Sequence, residues 1–174
     1  IYNFQKGNIH SSIEKMKNFI KKNPDNEVAI YNYGYMCDQA KFIDQAVKQY
    51  KKVIDINPKN WKAKFNLYIN YIKNHKYTEA LPLVNDVLKL KTNYQPALRD
   101  KGLILYHLKK PNEGLALVLN SIKQNPKDYI ALNILGLIYI LLAKYDLAEK
   151  NFTKAIKINA NYAPSYNNLG RVFD

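Results

Sequence analysis

A single cysteine, Cys37, stands in the 174 residues, so no internal disulfide can form and packing alone must hold the fold. In the expected secondary structure it falls on the core side of a helix, which predicts an inert buried thiol. Histidine is scarce as well: His10, His75 and His107 share no face at metal-ligand spacing, so no metal site is expected. The six glycines form no phosphate-cradling loop after a strand, and no strand is expected. Serine and cysteine lack neighbours placed to act as a base. No catalytic chemistry, cofactor or metal is therefore expected, and the chain reads as a non-enzyme. Acidic residues are few, 14 against 27 basic ones, giving a net charge of +13. Arginine is nearly absent, at Arg99 and Arg171 only, which removes the forked donors that read phosphates and bases. The most apolar run, 130–143, is about one helix long and is broken by Asn133, too short for a membrane span. No secretory leader is expected within these residues. No compartment is assigned by the sequence, the expectation being cytoplasmic.

What the chain does have is a period. Asn23-Pro24, Asn57-Pro58, Asn125-Pro126 and Asn159-Ala160 are separated by multiples of 34 residues. Gly34, Gly102, Gly136 and Gly170 keep the same frame, as do Ser12, Ala46, Ala80, Gly114 and Ala148. A fixed period of this length signals stacked supersecondary units rather than one core. Each unit holds two apolar-periodic stretches of helical length, in the clearest copy 129–142 and 145–158. The small-residue columns mark close helix approach. Asp44, Thr78, Asn112 and Asp146 stand where the second helices should be capped, each after an apolar residue or proline. The Asn-Pro pairs should end those helices. Tyr68 and Lys101 depart from the columns, and Pro82 should remove the first backbone bond of its helix, so distortion is expected around 61–128.

These columns resemble the tetratricopeptide repeat. The best copy carries Leu132, Leu135-Gly136, Tyr139, Ala148, Phe152 and Ala155. The resemblance covers the whole chain: a partial repeat at 1–26, full repeats at 27–60, 61–94, 95–128 and 129–162, and the start of another at 163–174. It implies an all-α, right-handed superhelical solenoid of antiparallel helix pairs. With no initiator Met and neither end carrying a polar cap, the sequence is expected to be a segment of a longer array.

The resemblance also implies where a ligand would sit, since first helices line the concave groove at repeat positions 2, 5, 6, 9, 12 and 13. Position 6 reads Asn32, Asn66, Asp100, Ile134 and Asn168. Such a row is similar to the asparagine ladders of peptide-binding family members, and a side-chain amide offers a peptide backbone both a donor and an acceptor. Asparagine is common here, with 22 copies, so abundance alone is the competing account. Beside the row, Tyr31, Tyr35 and Phe65 offer aromatic area, while Lys62, Lys73 and Arg99 add positive charge opposed by Asp38 and Asp100. Ile130, Ile134, Leu137, Ile140 and Leu141 place an apolar stretch on the fourth repeat. It would take a hydrophobic anchor or an amphipathic helix, or pack against further repeats or a partner subunit. The carboxylate clamp of co-chaperone members is not reproduced: the matching positions read Tyr31/Tyr35, Asn66 and Pro96/Asp100.

The expected function is a non-catalytic protein–protein interaction scaffold that binds an extended or helical segment of a partner in the groove. The alternative is the substrate-recognition arm of a larger enzyme such as a glycosyltransferase. A third reading, RNA or an anionic surface bound through a basic face, is disfavoured. The charge is spread over successive frames as +3, +1, +4, +3, +2 and 0, and is nearly all lysine. Self-association remains open.

Overall fold

The computed structural model describes the backbone of residues 9–173 and the side chains of residues 11–173. Residues 1–8 of the expected partial repeat, the His10 side chain and Asp174 lie outside the described residues. Ten helices follow in order: α1 (Ile9–Lys22), α2 (Glu27–Gln39), α3 (Ile43–Ile56), α4 (Trp61–Lys73), α5 (Tyr77–Leu90), α6 (Gln95–His107), α7 (Pro111–Gln124), α8 (Tyr129–Leu141), α9 (Tyr145–Ile158) and α10 (Ala163–Phe173). The described residues contain no strand. The fold is thus an all-α helical repeat array. It divides into two compact units that part between Lys76 and Tyr77, the first holding α1–α4 and the second α5–α10. The division falls in the expected repeat 61–94, which carries Tyr68 at the glycine column and Pro82 in its second helix.

Within each unit, consecutive helices pack against one another. The columns of the period are the contact points. In the first unit Ala46, Tyr50 and Val53 of α3 are fully buried. In the second, a Cβ on Gly136 would lie 2.5 Å from the Phe152 ring, and one on Gly102 would lie 2.1 Å from a Val118 methyl. Glycine is required there because the partner side chain fills the space a Cβ would take. Helix α8 is buried from Ala131 to Ile138 without interruption, the pattern of a helix enclosed on all sides.

The first and last positions of a repeat, 33 residues apart, are also tied by their side chains. The Asn60 amide donates to Glu27 at 2.6 Å, the Gln95 amide donates to Asp128 at 2.7 Å, and Tyr129 meets the Tyr162 ring edge-on at 4.9 Å. The same position is filled by three different chemistries.

The expected caps of the second helices are not caps. Helices α3, α5, α7 and α9 start one residue earlier, at Ile43, Tyr77, Pro111 and Tyr145, leaving Asp44, Thr78, Asn112 and Asp146 inside the first turn. There Asp44 and Asp146 favour the positive end of the helix dipole instead. The turn before them explains the shift. The Phe42 N–H donates to the Cys37 carbonyl at 2.8 Å and the Lys41 N–H to Asp38 at 3.1 Å, a Schellman closure of α2. Lys76, Lys110 and Lys144 repeat the longer bond, to Tyr71, Leu105 and Tyr139. The left-handed residue of each turn is Lys41, His75, Lys109 or Ala143, with φ of 66°, 58°, 60° and 54°, and none is glycine. Side-chain caps occur on the first helices instead, where Asn26, Asn60 and Asp128 accept from Ala29, Ala63 and Ala131 at 2.9, 2.9 and 3.0 Å. Pro82 lies in the interior of α5 rather than at its first backbone bond.

Candidate functional site

The first unit places α2 and α4 side by side and joins them through polar side chains. The Asn66 amide donates to the Tyr31 hydroxyl at 3.0 Å. Asp38 accepts from the Asn70 amide at 3.4 Å and faces the Lys73 ammonium at 3.7 Å. The Asn70 amide also donates to the Asn66 carbonyl at 2.9 Å. Tyr31, Tyr35 and Asp38 follow at helical spacing on one face of α2. Tyr35 is 44% exposed, and Asn32, Lys62 and Lys73 are exposed. Phe65 is half-buried and meets the Tyr68 ring edge-on at 5.0 Å. Burial pushes the Tyr31 phenol up, against the lowering effect of the Asn66 bond. Behind this face the fully buried Tyr50 hydroxyl comes near Asn66 without hydrogen-bond geometry, and burial pushes its phenol strongly up. Asn32 also borders a groove of about 690 Å³ between α1 and α2, walled by Met16, Phe19, Val28 and Met36.

The second unit treats the corresponding positions differently. The Arg99 guanidinium donates to Asp100 at 2.9 Å and to Asp128 at 3.2 Å. Asp128 also accepts from Gln95 at 2.7 Å, and Gln95 reaches the Ser121 hydroxyl at 2.8 Å. Burial works against the Arg99 charge, but Asp100 and Asp128 outweigh it and hold the guanidinium above its ordinary value. Burial would likewise raise the Asp128 carboxyl. The Ala131 N–H, the Gln95 amide and Arg99 hold it below its ordinary value of 3.8 instead. Asp100 is 5% exposed and Ile134 is 2% exposed. Ile134 packs into a cluster with Val118, Ala131, Leu135 and Ile138, against which Leu103 and Tyr106 also lie. Leu137 is buried with Phe152 and Ala148. Ile130 and Leu141 are half-buried. The Asn168 amide donates to Asn133 at 3.0 Å, and the Ser165 hydroxyl donates to the same oxygen at 3.1 Å.

The expected row therefore has no uniform chemistry. Asn32 is open, the Asn66 and Asn168 amides reach the preceding first helix, Asp100 is held by Arg99, and Ile134 is enclosed. The apolar stretch on the fourth repeat, expected either to take an anchor or to pack against further repeats or a partner, is largely enclosed. Its central members Ile134 and Leu137 are core, because α7, α9 and α10 close around α8. Sequence reasoning passed over Asp38 and Asn70 as a pair. Their signal was the shared face of Asp38 with Tyr31 and Tyr35. Among the described residues no three His, Cys, Asp or Glu side chains gather as metal ligands, and no helix is long and apolar enough to cross a membrane.

A family model described as tetratricopeptide repeat matches residues 28–60 and 129–162. Among curated proteins, the chain is 28% identical over 123 residues to the Drosophila melanogaster "Protein O-mannosyl-transferase Tmtc3". That match covers 70% of this chain and 13% of that protein, so the chain spans a small part of its relative's length. Among solved structures, a tetratricopeptide repeat protein from Parabacteroides merdae superposes with a TM-score of 0.84 at 20% identity. It covers 97% of this chain and 67% of that one. MamA from Desulfovibrio magneticus gives 0.81 at 17% identity, covering 90% and 89%. YrrB, described as a protein of this repeat class with an unusual peptide-binding site, gives 0.74 at 17% identity, covering 92% and 83%. At these identities the superpositions establish the fold.

Proposed function

Since the chain belongs to the tetratricopeptide repeat proteins, we propose that it is a non-catalytic interaction scaffold. In this reading it holds a segment of a partner protein along its first helices, with the α2–α4 face as the principal seat. One contrast carries the choice of seat. Asn32, Tyr35, Lys62 and Lys73 stand open on that face, whereas Asp100, Ile134 and Leu137 at matching positions of the second unit are enclosed. A peptide laid on α2 and α4 would meet an exposed ring, an amide with donor and acceptor, and two lysines. Asn66 shapes this face by fixing Tyr31, and Asn168 similarly supports α10. The peptide-binding site named for YrrB is consistent with a groove of this kind in the fold.

The test is selection of random peptides on the whole chain from a display library, followed by affinity measurement against variants. Asn32→Ala combined with Tyr35→Ala is expected to weaken selected peptides roughly 10-fold to 100-fold, the loss of one polar contact and one aromatic anchor. Undiminished affinity in a folded double variant would remove the seat from this face.

The likeness to a protein O-mannosyl-transferase favours a second reading, in which the array is the recognition arm of a larger enzyme. The complete transcript decides it. A transferase domain in the same polypeptide supports this reading, and a full-length protein made of repeats alone sinks it.

A further inference from the structure

One stripe of α1 differs from its counterparts in the other second helices. In α9, Ala148, Phe152 and Ala155 follow at i, i+4 and i+7, and all three are fully buried. The same three columns are buried in α3, α5 and α7. In α1 they read Ser12, Met16 and Phe19, and they line the open groove between α1 and α2. Phe19 is 47% exposed, and Val28 on the α2 wall is 69% exposed. By register this groove is a seat for a first helix, because α8 lies against the matching columns of α9.

Helix α10 carries the complementary face. It is a first helix by register, and its Ser165, Asn168, Leu169 and Val172 pack towards α8 and α9. Its other side presents Tyr166, Gly170 and Phe173, again at i, i+4 and i+7. Tyr166 is 48% exposed and Phe173 70%, whereas Ile30 and Cys37 of α2, and Leu98 and Leu105 of α6, are buried at those columns. Gly170 is the clearer sign. A Cβ on Gly34, Gly102 or Gly136 would press on Tyr50, Val118 or Phe152 of the paired second helix. Among the described residues, one on Gly170 would meet nothing within 4 Å.

We propose that α10 of one copy docks in the α1–α2 groove of a second copy, joining the chains head to tail. The occupant of such a seat is a helix with a small residue between two large apolar ones, the pattern that Tyr166, Gly170 and Phe173 supply. In the joined pair α10 stands to α1 as α8 stands to α9. Met16 of the second copy takes the space over Gly170, as Phe152 does over Gly136, and its flexible thioether adapts to the fit. Tyr166, Phe173, Phe19 and Val28 then leave water together. The two faces differ, so the contact is heterologous, and each assembly keeps one groove and one α10 free for another copy.

Charge opposes this docking at long range. Helix α1 carries Lys15, Lys17, Lys21 and Lys22 against one carboxylate, Glu14, and α10 carries Arg171. The meeting surfaces are therefore both cationic, within a chain of net charge +13. Their buried stripes are apolar, so added salt should strengthen docking by screening the repulsion.

Sedimentation velocity on the whole chain over a range of concentrations is the test. The mean mass is expected to rise with concentration beyond that of a dimer, and to rise further at high salt. Phe19→Gln impairs the groove and Gly170→Gln impairs α10. Each alone should weaken association about 10-fold or more, the loss of one buried contact of the interface. Gly170→Gln meets no side chain of its own copy, so its thermal midpoint should be undiminished. A mixture of the two variants retains one intact groove and one intact α10, and should form a dimer that grows no further. A parent that stays monomeric at every concentration overturns the proposal and gives the groove to a helix of the same polypeptide or of another protein. Association lost in Phe19→Gln but kept in Gly170→Gln also overturns it, because groove then meets groove. A mixture of variants that stays monomeric overturns it as well.

Discussion

Asp128 accepts from the Ala131 N–H that it caps, from the Gln95 amide and from the Arg99 guanidinium. Asparagine caps a helix as well as aspartate does, so Asp128→Asn keeps the cap and removes the charge. Loss of the charged contacts is expected to cost about 1–3 kcal/mol at pH 7. The folded-state carboxyl is held below its ordinary 3.8, so its contribution is fully present above that value. The contribution then disappears as pH falls through the depressed folded value. Urea midpoints of parent and variant should differ at pH 7 and converge in strong acid. A gap that persists in strong acid would assign the effect to shape rather than charge. This residue also shows why the candidate site was only partly legible. The repeat frame placed Arg99 and Asp100 on a first-helix face, but the partner that fixes Arg99 lies 29 residues away, at the end of the repeat where it caps α8. Asn66 and Tyr31, 35 residues apart, illustrate the same point. Register tells which column a side chain occupies. Burial depends on which side chain the next repeat sends to meet it, and one sequence does not rank those pairings.

At the scale of the element, the period was enough to find the helix pairs because the buried columns recur wherever two helices meet. Tyr50 and Phe152 are both fully buried at one such column. The ends of the helices were less legible. Acidic and amide residues one place inside α3, α7 and α9 look like caps in sequence, whereas the start is set by the left-handed residue that closes the preceding helix. That turn has a cost. A non-glycine residue in the left-handed region is disfavoured by roughly 1–2 kcal/mol. Ala143, at φ 54°, has no side-chain polar group to offset it. Ala143→Gly removes the strain while loosening the unfolded chain, so a net gain of about 0.5–1 kcal/mol is expected. Thermal unfolding followed by circular dichroism should show a higher midpoint. Gly136→Ala should do the opposite by several degrees, because the Phe152 ring occupies the space of the new methyl. An unchanged midpoint for Ala143→Gly would mean that the turn is strained elsewhere.

Across the whole molecule the net charge of +13 surrounds any partner with a repulsive or attractive field before contact. A nucleic acid or acidic peptide is drawn in by that field and loses affinity steeply as salt screens it. A cationic peptide seated on the α2–α4 face meets opposite effects at two ranges. Repulsion from dispersed lysines acts over many ångströms, and attraction to Asp38 acts at contact. Salt shortens the reach of the first to about 8 Å at physiological ionic strength and about 3 Å at 1 M. The contact pair, partly shielded from solvent, is screened less. The association rate of such a peptide should therefore rise with added salt while its dissociation rate changes little. Stopped-flow measurements between low and high salt read the sign directly. Acceleration supports a cationic ligand held by a local carboxylate. Deceleration instead identifies a ligand held by the lysines and transfers recognition to the basic surface.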